Sequence, residues 1–261
     1  MNYFTVLITL LRDRDNFVEE IHHKARLKTK ITALLISSSI FLAIYGGIIG
    51  AFASPLQVFA SAIKLPALYL ITLIICLPTL YFFNAFFGSK QNIRQNLALL
   101  LTAISITAVL LFSFAPVTLF FLITIRNYQF FILLNVVIFA LTGFIGISYL
   151  YQIMRPESEQ PEFAPAASVN SFEDKVESEF VVVDANQKLK KIANKNIDPA
   201  VKTRTNILRF WLGLYAFVGC QLAWTLRPFF GAPGQAFELF RPREGNFYLS
   251  VIQSLLEILT N

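Results

Sequence analysis

The side chains able to do chemistry in this chain are few and lie apart. His22 and His23 are neighbours in a basic N-terminal segment. Adjacent residues on a helix point about 100° apart, so the two make a poor metal pair and fit a solvated surface role. Cys76 and Cys220 each lie inside an apolar block, where a thiol packs as a small apolar side chain. Between Ile31 and Met154 there is no Asp or Glu, and only Lys64, Lys90, Arg94 and Arg126 carry charge. Acid–base work in a membrane needs ionisable groups facing a cavity. There is also no glycine-rich phosphate loop, zincin helix, or Ser or Cys with an evident base. The expectation is a chain that is not an enzyme, with no catalytic residue, no metal and no cofactor.

The elements that hold these residues are long and apolar. Apolar residues make up 56% of the 261 positions and charged ones 15%, against about 25% charged in soluble domains. The 27 Phe supply apolar area that tolerates lipid. Most of the Lys and Arg behind the net charge of +6 flank apolar blocks. That placement reads as membrane topology rather than a nucleic-acid footprint, and no nucleic acid is expected as a partner. A bilayer interior cannot solvate an unpaired amide, so uncharged blocks of this length fold as spanning helices. The fold class expected is all-α, a polytopic bundle of five transmembrane helices with N- and C-terminal amphipathic helices.

In chain order, residues 1–30 form an amphipathic segment with Phe4, Leu7, Leu11, Val18 and Ile21 at helical spacing and Glu20–Lys24 as an i,i+4 pair. It suits either the membrane surface or the bundle's own end, and it lacks the cationic start and cleavage signal of a signal peptide. Residues 31–154 form a four-helix region. Its first span, Ile31 to Ser54, carries Gly46 and Gly50, a small-xxx-small pair that lets another helix approach closely. A loop with Pro55, Gln57 and Lys64 leads to a second span, Leu65 to Phe87, with Pro66 at its entry and Pro78 inside. The third block, Gln95 to Ile125, exceeds one upright helix, so Pro116 either kinks a tilted helix or ends it near Ala115. Tyr128 to Tyr151 is the fourth span, with Asn135, Gly143 and Gly146 as packing positions.

Residues 155–205 are a polar connection, expected to be disordered. Its first part, 157–184, holds eight acidic residues against Lys175 alone, and its second part is basic. The apolar run Phe180 to Val183 is its strand-like piece. Residues 206–226 are the fifth span, with Trp211 and Trp224 near its ends and Gly213, Ala216, Cys220 and Ala223 on one stripe expected to pack tightly. The tail, 227–261, carries Arg227, Arg241 and Arg243, then an amphipathic helix capped by Asn246.

Orientation follows from the cations. The segments between spans carry six, one, two, one, eight and three Lys and Arg in order. High and low counts alternate, the pattern of a cytoplasmic N-terminus and connection 155–205, with the C-terminal tail on the opposite side.

Three stretches carry a resemblance. Lys64-Leu65-Pro66 through Leu77-Pro78-Thr79-Leu80-Tyr81-Phe82-Phe83-Asn84, together with Trp224-Thr225-Leu226-Arg227-Pro228-Phe229-Phe230-Gly231 and Arg243-Glu244-Gly245-Asn246-Phe247-Tyr248, resemble a group of uncharacterised multi-pass bacterial membrane proteins, cyanobacterial ones among them. The resemblance implies a plasma or thylakoid membrane and a place beside a larger complex, and it transfers no catalytic residue. Five spans with a cytoplasmic N-terminus are also similar in architecture to the Yip1-like membrane proteins, whose Asp-Leu-Tyr-Gly-Pro signature this chain lacks.

These features point to a membrane-embedded accessory subunit, assembly factor or anchor. Its expected partners are membrane lipids, other integral membrane proteins, and a basic cytoplasmic protein facing the acidic segment 157–184. Gly46, Gly50, Gly213, Ala216, Arg227, Arg241 and Arg243 are the expected contact residues. The alternative is a small-molecule or ion transporter or channel component, which requires a continuous polar cavity between the spans.

Overall fold

The computed structural model describes residues 3–24, 26–86, 92–125, 127–154, 199–226, 229–231, 237 and 239–240. All regular structure among them is α-helix: α1 (Tyr3–Arg12), α2 (Arg14–His22), α3 (Leu27–Gly50), α4 (Pro55–Phe86), α5 (Ile93–Thr124), α6 (Tyr128–Met154) and α7 (Pro199–Leu226). Helices α3 to α7 are each long and apolar enough to cross a membrane, α7 through its Thr205–Leu226 part. The chain is an integral membrane protein built on these five helices.

Helix α5 is the central one. It is apolar on every side, its residues from Ala98 to Ala108 are all buried, and α3, α4 and α6 pack around it. Helix α3 fills the seam between α4 and α5, and α7 lies outermost, against α4 and α6. Lipid tails are as apolar as leucine, so close packing and hydrogen bonds between helices, rather than hydrophobic burial, hold such spans together.

The N-terminal segment packs on the bundle's own end. Val6, Leu7 and Leu10 of α1 are buried where α1 meets α3, and Phe17 and Ile21 of α2 are buried too, while Ile8 and Leu11 stay exposed. The apolar stripe is thus rotated from the expected one, because the chain breaks into two helices at Asp13. The Asp13 carboxylate accepts from the Asn16 backbone N–H (3.4 Å) and side-chain amide (2.5 Å), capping α2 afresh. The expected Glu20–Lys24 pair is replaced by Glu20–Lys30, at 2.6 Å. Lys24 adopts a left-handed backbone (φ +60°) that takes it off the helical path.

Helix α4 corrects the expected loop. Residues 55–64 are its first turns, and Pro66 lies inside it rather than at its entry. The physical reason is an inverted amphipathicity. Gln57, Ala60, Ser61 and Lys64, at i, i+3, i+4 and i+7, are buried against protein, whereas Leu56, Phe59 and Ile63 face outward. Polar residues here mark a protein-facing stripe within a long helix, and Lys64 belongs to a spanning helix. For the third block, the structure decides for one helix: α5 runs unbroken through Pro116 to Thr124. Helix α6 extends the fourth span to Met154. Helix α7 begins at Pro199, so the last residues of the expected disordered connection are helical, with proline at the favoured first position. Residues 155–198, with the acidic segment, and the C-terminal helix expected after Asn246 lie outside the described residues.

Candidate functional site

Three polar constellations interrupt the apolar packing, and each joins elements distant in sequence. The first joins α3, α5 and α6 toward the ends of α3 and α5 and the start of α6. The Tyr45 hydroxyl of α3 donates to Oδ1 of Asn135 on α6 (2.9 Å) and lies 3.2 Å from Oγ1 of Thr118 on α5. The Asn135 amide nitrogen donates to the Phe131 carbonyl one turn back (2.8 Å), which aims its oxygen at Tyr45. All three side chains are fully buried. The Tyr45 ring packs edge-on to Phe139, with centroids 5.7 Å apart. With its side chain fully buried, the tyrosine proton is satisfied by its helical neighbours.

The second lies where α3 turns into α4. The Gln57 amide donates to the Phe229 carbonyl (3.3 Å) and to the Ser61 hydroxyl (3.1 Å), and Ser61 donates to the same carbonyl. One turn on, the Lys64 ammonium donates to the Leu239 carbonyl and sits 5.0 Å from the Phe240 ring centre. The inward stripe of α4 therefore clamps the segment that follows α7. Gly231 lets that segment seat: it has φ +60° and is buried, and a Cβ there would lie 2.6 Å from that of Ala53. Lys64→Met removes a charged donor from a carbonyl and a cation from a ring face, so the seated segment opens on the order of tenfold more often. Protease cleavage or hydrogen exchange near residues 229–240 should accelerate by that factor, with the spans still folded.

The third docks the N-terminal helices. Lys30 of α3 is 5% exposed; its ammonium lies 2.6 Å from Glu20, 3.3 Å from the Phe17 carbonyl and 4.2 Å from the Phe17 ring centre. Gln95 of α5 donates to the carbonyls of Ile21 (3.3 Å) and His22 (2.9 Å), satisfying the open end of α2. His23 faces Glu19 at 3.7 Å. Among the described residues no three His, Cys, Asp or Glu gather as a metal-ligand set.

The structure divides the residues singled out in the sequence. Gly46 and Gly50 form the α3–α4 crossing. A Cβ on Gly46 would meet the Ser61 carbonyl, and one on Gly50 the Gln57 carbonyl and the Val58 Cα at 2.9 Å. Their close approach is therefore made to this chain's own α4. Gly146 packs against Thr107 of α5, while Gly143 has nothing within 4 Å of an added Cβ. On α7 the expected tight packing is absent at Gly213, which is exposed and where an added Cβ would have nothing within 4 Å among the described residues, and Ala216 is half-buried. The glycine of α7 that meets α4 is Gly219, where an added Cβ would lie 3.8 Å from the Thr72 methyl. Trp211 is buried and stacked on Tyr215 (5.6 Å) rather than facing the boundary, and Arg209 donates to the Tyr151 hydroxyl of α6 at 3.0 and 3.2 Å. Arg227, Arg241 and Arg243 lie outside the described residues.

Sequence reasoning missed the three constellations because each pairs residues far apart along the chain. A usable signal was present for the second: Gln57, Ser61 and Lys64 share one helical face beside an otherwise apolar one. Compared with protein-family models, curated proteins and solved structures, the chain has no match in any of the three.

Proposed function

We propose that this is a non-catalytic membrane protein that holds and positions other integral membrane proteins, as an accessory subunit, assembly factor or anchor. The observation that supports this most is the contrast between its two small-residue faces. That of α3, at Gly46 and Gly50, is consumed by the chain's own α4. That of α7, at Gly213, opens outward beside exposed Phe210, Leu214 and Phe217. A glycine on an outer face lets a neighbouring helix approach closely, which lipid chains do not require. The polar groups of Tyr45, Thr118 and Asn135 are turned to each other in a closed centre, an arrangement suited to holding helices together.

On this reading the N-terminal helices and the connection 155–205 face the cytoplasm of a bacterial plasma or thylakoid membrane. The acidic segment 157–184 is then presented to a basic partner. Gly213→Leu, or Ala216→Leu, fills the open face of α7. Either change should reduce co-purification of a helical membrane partner severalfold, and Gly213→Leu should leave the chain's own abundance unchanged, since among the described residues nothing lies within 4 Å of a Cβ added at Gly213. Undiminished co-purification in both variants rejects the assignment of this face.

A further inference from the structure

We propose that α1 is embedded in one leaflet of the membrane, with α3 on its inner side and lipid acyl chains on its outer side. The membrane and the bundle's own end, the two places that the sequence allows for this segment, then coincide. From Tyr3 to Leu11 the helix holds no charged residue, and its first charge, Arg12, stands at its last position. Val6, Leu7 and Leu10 are buried, and the spanning helix α3 is the element that α1 packs on most. Ile8, 61% exposed, and Leu11, 39% exposed, face outward. Between them the exposed Thr9 hydroxyl donates to the Thr5 carbonyl one turn back, at 2.9 Å, so its proton needs no water.

The partners of α2 set the depth. Gln95, near the start of α5, donates to the carbonyls of Ile21 and His22, whereas Lys30, one turn inside α3, donates to that of Phe17. Helices α3 and α5 both start at this end of the bundle, so α2 leads inward from His22 towards Arg14. Helix α1 lies beyond it, past the level of Lys30. Lys30 is the last charged residue of α3, and the 20 residues from Ile31 to Gly50 make about 30 Å of helix, the thickness of the hydrocarbon core. The 10 residues of α1 make about 15 Å, enough for one leaflet. Over this stretch α3 has its own outward apolar residues, Leu35, Ile40 and Ile44, and Ile8 and Leu11 continue that lipid-facing surface. Arg12 and Arg14, both exposed, stand at the joint of α1 and α2, where long cationic side chains reach the headgroups.

The test places one fluorescent label on the full chain in phosphatidylcholine nanodiscs, in a background of Cys76→Ala and Cys220→Ala. The label goes on Ile8→Cys. Phe144→Cys on α6 is the lipid-facing reference and Glu19→Cys on α2 the water-facing one, both native residues being exposed. Phosphatidylcholine with a nitroxide on its acyl chain should quench the Ile8→Cys label as strongly as the Phe144→Cys label. It should quench the Glu19→Cys label severalfold less, and iodide in the buffer should show the reverse order. A second measurement keeps both native cysteines. A benzophenone amino acid at position 8 should yield, on irradiation, a chain heavier by one phospholipid in its intact mass. Iodide quenching at position 8 equal to that at Glu19→Cys overturns the proposal. So does a label shielded from both quenchers, or a benzophenone adduct with protein alone, which marks this face as covered by another polypeptide.

Discussion

Gly50→Ala and Gly46→Ala are each expected to weaken the folded bundle by about 1–3 kcal/mol, although alanine is by itself the better helix former. At Gly50 the added Cβ meets the Gln57 carbonyl and the Val58 Cα; at Gly46 it meets the Ser61 carbonyl and the Leu65 Cβ at 3.1 Å. Backbone atoms cannot swing aside as a side-chain tip can, so α4 must move off α3. That movement also disturbs the Gln57, Ser61 and Lys64 clamp, because those residues sit on the same turns of α4. Gly143→Ala and Gly213→Ala are the matched comparison. Among the described residues an added Cβ at either has nothing within 4 Å, so stability should be unchanged or rise by up to about 1 kcal/mol. Reversible unfolding in mixed micelles, or steric trapping, measures all four. Equal effects at the two kinds of site would refute the account of the α3–α4 crossing.

Tyr45→Phe should cost about 1–2 kcal/mol, a large effect for removing one oxygen. Hydrogen bonds between spanning helices average about 0.6 kcal/mol and reach about 1.7. Here a single hydroxyl joins α3 to both α5 and α6. Its loss leaves the Asn135 oxygen buried without that donor. Asn135→Leu removes the same link from the other side, so the double variant should be little worse than either single one. A coupling near 1 kcal/mol in the thermodynamic cycle is the expected outcome, and strictly additive effects would show that the two groups act independently.

The sequence makes the spans legible because membrane burial is written in composition: a long block without acids has few other ways to fold. It makes the Gly46–Gly50 pair legible as well, since two glycines four residues apart share a helix face, although it does not say whose helix they receive. The start of α4 reads wrongly because Gln57, Ser61 and Lys64 look like loop residues facing water. Their acceptors, the carbonyls of Phe229 and Leu239, are about 170 residues away along the chain. The break at Asp13 is hidden for a local reason. Periodicity runs on through positions 4 to 21, and only the carboxylate's bond to Asn16 shows where one helix stops and the next begins. The open face at Gly213 has no signature of its own, because an unfilled glycine and a packed one are spelled alike.

The claim at the centre of this account is that the protein works by holding neighbours in the membrane. Extraction of the chain from its own membrane into lipid discs, without strong detergent, followed by mass measurement of the intact particle, tests it most directly. The account predicts a particle heavier than the 29.5 kDa chain with its lipid, containing at least one other integral membrane protein and losing it on Gly213→Leu. A particle made only of this chain and lipid, before and after that substitution, would contradict it.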